Sequence, residues 1–276
     1  YPIRGGFFNK IIDHVYAVDG VSMTIEQGKT YGLIGESGSG KSTIGKTIVG
    51  LEKATAGEIL FNGQNILKSA IRKKIKYNQD VQMIFQDSMS SLDPRKRVLD
   101  IIAEPIRNFE NLDSKAEKLK VCELLEIVGM PIDSIFKYPH EFSGGQRQRI
   151  CIARALCVQP EVVVLDEPVS ALDVSIQAQV LNLLKDLQKE LGLTYLFITH
   201  DLSVVKFFSD NIAVMYLGQL VETAKSDELF QQPLHPYSQA LLSAIPVPDC
   251  HKKMRRVKLI GEIQSPVNPL PGCRFA

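Results

Sequence analysis

The sequence contains no run of about 18 apolar residues, the length that a membrane-spanning helix needs, and no charged-then-apolar signal stretch at its start. Both absences predict a cytosolic chain. The formal net charge is only +1, so no overall electric field favours nucleic acid or an acidic partner. Any such partner must be recognised by a local surface.

Cysteine is also scarce, and its pattern argues against a disulfide framework. The five cysteines are an odd number without a C-x-x-C pair, and they are Cys122, Cys151, Cys157, Cys250 and Cys273. We therefore expect buried or free thiols. The sequence begins at Tyr1 and stops at Ala276, and we expect that both ends are cut.

The apolar content is sufficient for a sizeable core. The 276 residues are 45% hydrophobic, which suits one α/β domain or one such domain with an attached lobe. Short apolar segments predict strands at 21–25, 57–61 and 81–85, with a tight turn at 62–63.

The pattern changes to helical spacing in the middle of the chain. Between Ser88 and His140, apolar residues recur every three or four positions, which predicts helices at 98–109 and 114–128. We infer a helical lobe inserted into an α/β core, with a boundary near Gln86.

Residues 35–42 fit the pattern G-x-x-x-x-G-K-[ST] without a mismatch, which is typical of a loop that binds nucleotide phosphates. Its glycines let successive backbone N–H groups point into one hollow. Lys41 is expected to reach the β- and γ-phosphates, and Ser42 to bind Mg²⁺. A predicted strand at 30–34 precedes the loop and a helical pattern at 44–51 follows it. The predicted phosphate-binding residues are Gly35, Glu36, Ser37, Gly38, Ser39, Gly40, Lys41, Ser42 and Thr43.

A second phosphate-binding helix start is predicted at 142–149. Ser143 and the N–H groups of Gly144 and Gly145 precede a helical pattern, whose positive end favours phosphate oxygens. One nucleotide is more easily sandwiched between two subunits than bound at two such helix starts of one subunit. An ordinary N-cap with flexible glycines is the alternative.

Two predicted buried strands end in polar side chains. The apolar run 162–165 leads into Asp166 and Glu167, as expected for a strand that delivers carboxylates to the ligand-binding edge of a sheet. Asp166 is expected to hold Mg²⁺ through water, and Glu167 to accept a proton from the attacking water. Two adjacent carboxylates would also suit a solvated strand end. The strand at 194–199 ends in His200, which we expect near the γ-phosphate. The helix between them has a predicted apolar face of Ile176, Val180, Leu183, Leu184, Leu187 and Leu191.

Aromatic residues upstream of the phosphate loop are candidates to stack on an adenine base. They are Phe7, Phe8 and Tyr16, and packing in the core explains each of them at least as well. The sequence leaves open which of them stacks.

These residues together resemble the nucleotide-binding subunit of an ATP-binding cassette (ABC) transporter over nearly the whole chain. The matching motifs are Walker A at 35–42, the Q-loop glutamine Gln86, the signature at 142–146, Walker B at 162–166, the catalytic glutamate Glu167, the D-loop aspartate Asp173 and the switch histidine His200. The family's signature more often begins with leucine, so Phe142 is a mild departure.

The resemblance implies a P-loop NTPase of the α/β class, with a RecA-like core sheet, an antiparallel β region and an inserted helical subdomain. It implies a core at 1–86 and 157–225, a helical signature subdomain at 87–156 and a C-terminal extension at 226–276. It also implies these roles: catalysis for Glu167, His200 and Gln86, nucleotide binding for Ser143, Gly144, Gly145 and Gln146, and metal binding for Ser42, Gln86 and Asp166.

Several segments are similar to the oligopeptide/dipeptide importer ATPases of that family. They are 17–22, 35–40, 91–95, 235–242, 261–269 and 271–275. The expected cofactors are ATP and Mg²⁺. Some relatives carry further cysteines that hold an iron–sulfur cluster, but only Cys273 is present here, whereas four thiolates are the usual requirement.

The resemblance implies that the chain powers import of oligopeptides or dipeptides by ATP-driven, head-to-tail dimerisation. The expected partners are a homologous ATPase subunit, in a homodimer or heterodimer, two transmembrane permease subunits docked on the 88–140 surface and, indirectly, an extracytoplasmic solute-binding protein. No nucleic-acid partner is expected. The implied location is the cytoplasmic face of the membrane.

Three alternatives remain open. In the first, the transported cargo is nickel or another small solute. The second is a soluble ABC protein acting on DNA or ribosomes, but such proteins usually carry long insertions or two cassettes per chain. The basic tracts 72–76 and 252–256 suit a solvated surface or anionic lipid better than nucleic acid. The third is an idle cassette that binds ATP without turnover, against which the filled catalytic positions argue.

Overall fold

The structure, a computed structural model, describes residues 1–5, 10–244, 265, 267–269 and 272–275, apart from the side chain of Lys74. The chain divides into two units, Tyr1–Lys46 with Phe197–Ala276, and Thr47–Leu196. The strands are β1 (Pro2–Gly5), β2 (Lys10–His14), β3 (Thr30–Ile34), β4 (Leu60–Phe61), β5 (Gln64–Asn65), β6 (Val81–Ile84), β7 (Val162–Asp166), β8 (Thr194–Thr199), β9 (Asn211–Tyr216) and β10 (Gln219–Lys225). The α-helices are α1 (Lys41–Val49), α2 (Ser69–Lys74), α3 (Tyr77–Asp80), α4 (Val98–Phe109), α5 (Ser114–Ile127), α6 (Gly144–Leu156), α7 (Val174–Leu191), α8 (Leu202–Phe208), α9 (Ser226–Gln231) and α10 (Pro236–Ser243). Short 3-10 helices run over Ile132–Phe136 and Pro139–Glu141.

The first unit is built around the buried strand β3. This strand pairs in parallel with β9, with Tyr31 opposite Asn211, and β9 pairs antiparallel with β10. Helix α8 packs on β3 at Gly32, where a Cβ would come within 2.6 Å of Val205 Cγ2. All five residues of β3 are buried. The residues after Ile34 therefore follow a strand that is fixed on both faces.

The second unit joins a parallel strand pair to a group of helices. Strand β6 pairs with β7, with Val81 opposite Val162 and Ile84 opposite Leu165. Helix α6 packs against β6, and α4, α5 and α6 pack on one another. Their fully buried side chains include Ile102, Ile106, Val121, Leu125 and Ile150. This packing brings the C-terminal ends of β6 and β7 side by side.

Most of the predicted elements are confirmed. The α/β class is confirmed, and the helices predicted at 98–109 and 114–128 are α4 and α5. The predicted tight turn is present, because Asn62 (φ 48°) and Gly63 (φ 76°) both have the positive φ of a hairpin turn. The strand β4 covers only Leu60–Phe61 of the predicted 57–61. Within the described ranges, every helix is too short or too polar for a membrane span.

Two predictions are wrong. Residues 21–25 alternate between partial and full exposure, but they belong to no ladder among the described strands. Alternation requires only one packed face, whereas a strand also requires backbone pairing. Leu191, predicted in the apolar face of α7, is 51% exposed because it is the last residue of the helix, and Leu181 is buried instead.

Candidate nucleotide-binding site

The phosphate loop follows β3 and leads directly into α1. Gly35 (φ 151°) and Gly40 (φ 105°) hold backbone conformations that side chains rarely adopt. A Cβ on Gly35 would lie 2.1 Å from the Met215 carbonyl oxygen, and one on Gly40 would lie 2.0 Å from that of Ala17. Both positions therefore require glycine, because backbone carbonyl oxygens of neighbouring segments occupy the space that a side chain would need.

The ammonium group of Lys41 lies inside this loop. Lys41 is only 5% exposed. Its Nζ donates to the carbonyl oxygens of Gly35 (2.8 Å) and Glu36 (2.7 Å) and to Ser39 Oγ (3.3 Å). A buried cation at a helix start that follows a glycine-rich turn suits the anionic oxygens of a nucleotide, because the positive charge and the positive end of the helix both attract them. The first turn of α1 continues with Ser42 and Thr43, so the predicted residues Gly35 to Thr43 form one continuous loop and helix start.

Gln86 and Glu167 are brought together at the ends of β6 and β7. Because Ile84 lies opposite Leu165, the residues that follow the two strands are neighbours. Gln86 Nε2 donates to Glu167 Oε2 at 2.8 Å. Glu167 has φ 47°, a left-handed conformation that is uncommon for a residue with a side chain and recurs at functional sites. The adjacent Asp166 is only 4% exposed, which places its carboxylate at the buried strand end.

The turn after Gln86 is ordered by Asp87. Its carboxylate accepts the Met89 N–H at 2.8 Å, and its carbonyl oxygen accepts the Ser91 hydroxyl. The Met89 backbone N–H, helped by Ser90, holds the pKa of Asp87 below its ordinary value. The hydrogen bonds of Asp87 therefore stabilise the turn that follows Gln86.

The helix start at Ser143 forms a capping box. Ser143 Oγ accepts the Gln146 N–H at 3.3 Å, and Gln146 Oε1 accepts the Ser143 N–H at 3.0 Å. Ser143 is exposed, whereas Gly145 is buried against Ile176 of α7, whose Cγ2 would lie 2.4 Å from an added Cβ. The sequence pattern had assigned Gly145 to phosphate binding alone and missed this close packing.

His200 follows β8 and is exposed. The next residue, Asp201, caps α8, since its Oδ1 accepts the N–H groups of Ser203 (2.9 Å) and Val204 (3.4 Å). The phosphate loop and His200 belong to the first unit, whereas Gln86, Asp166, Glu167 and the Ser143 helix start belong to the second.

Two of the other candidates lie in the described part of the chain. Tyr16 is 44% exposed, so its ring is accessible to a base, whereas Phe7 and Phe8 lie outside the described residues. Cys273 is exposed, with Sγ 3.6 Å from His235 Nε2. Among the described residues, no group of three or more metal-binding side chains includes it.

The chain belongs to the ABC transporter family, because the family pattern described as "ABC transporter" matches residues 18–170. A second pattern, described as "Oligopeptide/dipeptide transporter, C-terminal region", matches residues 221–276. The first match includes the phosphate loop, the Ser143 helix start, Asp166 and Glu167, and the second includes α9 and α10.

Individual proteins of known sequence or structure are also similar to this chain. The oligopeptide transport ATP-binding protein OppF of Lactococcus lactis subsp. lactis (strain IL1403) is 57% identical over 258 residues, which cover 94% of this chain and 81% of the relative. The dipeptide transport ATP-binding protein DppF of Escherichia coli (strain K12) is 48% identical over 277 residues, which cover all of this chain and 82% of the relative. Among solved structures, cbiO1 from Clostridium perfringens, part of the transporter complex cbiONQ, has a TM-score of 0.70 and 30% identity over 78% of this chain and 84% of that one. A dimeric post-hydrolysis structure of the ATP-binding cassette MJ0796, bound to ADP and Pi, has a TM-score of 0.69 and 29% identity over 77% of this chain and 91% of that one.

Proposed function

We propose that this chain is the ATP-hydrolysing subunit of a membrane importer for oligopeptides or dipeptides. The observation that carries the enzymatic part is the buried Lys41 ammonium inside the phosphate loop. The cargo class is supported by two relatives whose names describe oligopeptide and dipeptide transport, and by the matching C-terminal region.

In this proposal, the phosphate loop binds the nucleotide and Glu167 is the catalytic carboxylate. Lys41 pairs with the β- and γ-phosphates, while backbone N–H groups of residues 35–43 donate to their oxygens. Ser42 and Gln86 would hold Mg²⁺ through their side-chain oxygens, and Asp166 would hold it through water. When bound, Mg²⁺ offsets the phosphate charge.

The base of the reaction is Glu167. Its carboxylate accepts the proton of the attacking water, and Gln86, whose amide donates to Glu167 Oε2 at 2.8 Å, orients that carboxylate. His200 donates a hydrogen bond to a γ-phosphate oxygen.

Two ATPase subunits share each nucleotide in this proposal. Ser143 and the N–H groups of Gly144 and Gly145 in one subunit bind phosphate oxygens held on the loop of the other, and Gln146 keeps that helix start ordered. Because the Ser143 hydroxyl accepts in the capping box, its own hydrogen remains to donate to a phosphate. Hydrolysis removes the bridging anion, so the subunits separate.

The partners in this proposal follow from the transport function. They are a homologous ATPase subunit, two permease subunits that dock on the helices between 88 and 140, and an extracytoplasmic solute-binding protein that meets the permease. The chain then lies at the cytoplasmic face of the membrane. The helical part at 87–156 transmits the phosphate state through Gln86 and the turn ordered by Asp87.

The proposal is tested with Lys41→Ala, and Lys46→Ala on the same helix α1 is the matched control. Removal of the buried ammonium should weaken ATP binding by about a hundredfold, because paired buried charges contribute several kcal/mol to binding. Calorimetry on the isolated subunit measures the affinity, and uptake of a labelled tripeptide by vesicles of the reconstituted transporter measures transport. Unchanged ATP affinity would contradict the phosphate-loop assignment, and uptake of nickel without peptide uptake would contradict the cargo class.

A further inference from the structure

The C-terminal segment Gly272–Phe275, here called the tail segment, places a buried arginine beside the phosphate-loop region. The side chain of Arg274 is only 1% exposed, although arginine is rarely buried without partners. Its Nη2 forms an ion pair with Asp19 Oδ2 at 2.6 Å, and its Nη1 donates to the carbonyl oxygens of Tyr16 and Leu217. One guanidinium therefore joins two backbone segments that are far apart in sequence.

Both of these segments contact the phosphate loop. The Gly218 N–H donates to the Ser39 carbonyl oxygen at 2.8 Å, and the Asp19 N–H donates to the Gly218 carbonyl oxygen at 2.8 Å. The Ala17 carbonyl oxygen fills the place that a Cβ on Gly40 would need. Residues 16–19 and 217–218 thus form one hydrogen-bonded support for the second half of the loop.

The tail segment also reaches the first half of the loop through aromatic rings. The Phe275 ring packs edge-on against Tyr216 and tilted against Tyr237, with ring centroids 5.4 Å apart in both pairs. Tyr237 is fully buried, and its hydroxyl accepts the Glu36 N–H at 3.2 Å. Contacts that begin in the tail segment therefore end at both Glu36 and Ser39.

We propose that Arg274 is a positioning residue for the nucleotide: it holds residues 16–19 and 217–218 against the phosphate loop and thereby sets the affinity for ATP. A loop that is already ordered loses less conformational freedom when it binds, so binding is tighter. This inference rests on the proposed function, because it concerns the same phosphate loop. Arg274 touches none of the reacting atoms, so it affects binding rather than the chemical step.

The test compares Arg274→Met with Arg107→Met in the full chain. Arg107 is a fair control because it also forms ion pairs, with Glu117 at 2.7 Å and Asp100 at 3.1 Å, but it lies on α4 in the second unit. Arg274→Met should raise the Kd for ATP about five- to tenfold, because ordering one additional side chain on binding weakens the affinity by about that factor. The KM for ATP should rise in parallel while kcat stays within about twofold. Arg107→Met should leave the Kd within about twofold of the native value.

Amide hydrogen exchange supplies a readout other than activity. The amides of residues 16–19 and 217–218 should exchange faster in Arg274→Met than in the native chain. If Arg274→Met does not fold, Arg274→Lys carries the same comparison, because lysine keeps a charge for Asp19 but lacks the fork that reaches two carbonyls. A folded Arg274 variant that binds ATP as tightly as the native chain would overturn the inference, even with faster exchange. A native chain that fails to bind ATP would overturn the proposed function itself.

Discussion

At the scale of single residues, the pairing of Gln86 with Glu167 has a direct structural cause. The two residues are 81 positions apart in sequence, and they meet because β6 and β7 pair in register. The hydrogen bond fixes one carboxylate oxygen of Glu167. Glu167 also has a left-handed φ of 47°, so the backbone departs from strand geometry at this residue.

Replacing Glu167 by Gln should lower the rate of ATP hydrolysis by about two to four orders of magnitude, the usual contribution of a positioned base. ATP binding should be retained, because the amide has the shape of the carboxylate. Phosphate release and calorimetry measure the two quantities. Glu190→Gln, which changes an exposed glutamate of α7, is the matched control and should leave both unchanged. Native turnover in Glu167→Gln would rule out Glu167 as the base.

Residues with a strong local pattern were predictable from the sequence, and residues defined by distant contacts were not. The phosphate loop, the carboxylates Asp166 and Glu167, and the Ser143 helix start each occupy a few consecutive positions. Tyr237 contacts Glu36 across 201 positions, and Arg274 contacts Asp19 across 255 positions. Their segments were noticed only as similar to a family, because nothing in the local sequence indicates which backbone groups they reach.

At the scale of elements, the start of α6 is fixed by packing as well as by capping. The capping box at Ser143 satisfies backbone N–H groups of the first turn, and Gly145 lets α7 approach closely at Ile176. By contrast, Gly144 would place a Cβ 3.1 Å from Leu172 Cδ2, the far end of a flexible side chain. The two glycines are therefore expected to respond differently to substitution.

Gly145→Ala should lower the free energy of unfolding by about 1 kcal/mol, since overpacking with Ile176 outweighs the better helix propensity of alanine. In an Ile176→Ala background, where Cγ2 is absent, the same substitution should be neutral or stabilising. Urea denaturation measures all four proteins of this cycle, and Gly144→Ala serves as the control with a smaller cost. An equal cost of Gly145→Ala in both backgrounds would show that Ile176 is not the cause.

The elements also show where the sequence pattern is insufficient. Helices α4 and α5 were predictable because apolar residues at three- and four-residue spacing bury one helix face. The segment 21–25 has the alternation of a strand without pairing in a ladder of the described residues. Backbone pairing depends on a partner elsewhere in the chain, so alternation predicts the buried side of a segment better than its hydrogen bonds.

At the scale of the whole molecule, the two units divide the predicted machinery. The first carries the phosphate loop, His200 and the contacts of Arg274, and the second carries Gln86, Glu167 and the Ser143 helix start. The exposed Ser143 is the group that the account assigns to a nucleotide on a second ATPase subunit. ATP-dependent association of two subunits is therefore the central claim.

The most direct test of this claim is the molecular mass of Glu167→Gln by light scattering, measured with its companion ATPase subunit present. With saturating ATP and Mg²⁺, the account predicts the mass of a two-subunit complex, because binding occurs and hydrolysis is blocked. With ADP, it predicts the mass of single subunits. Single subunits at saturating ATP would contradict the account.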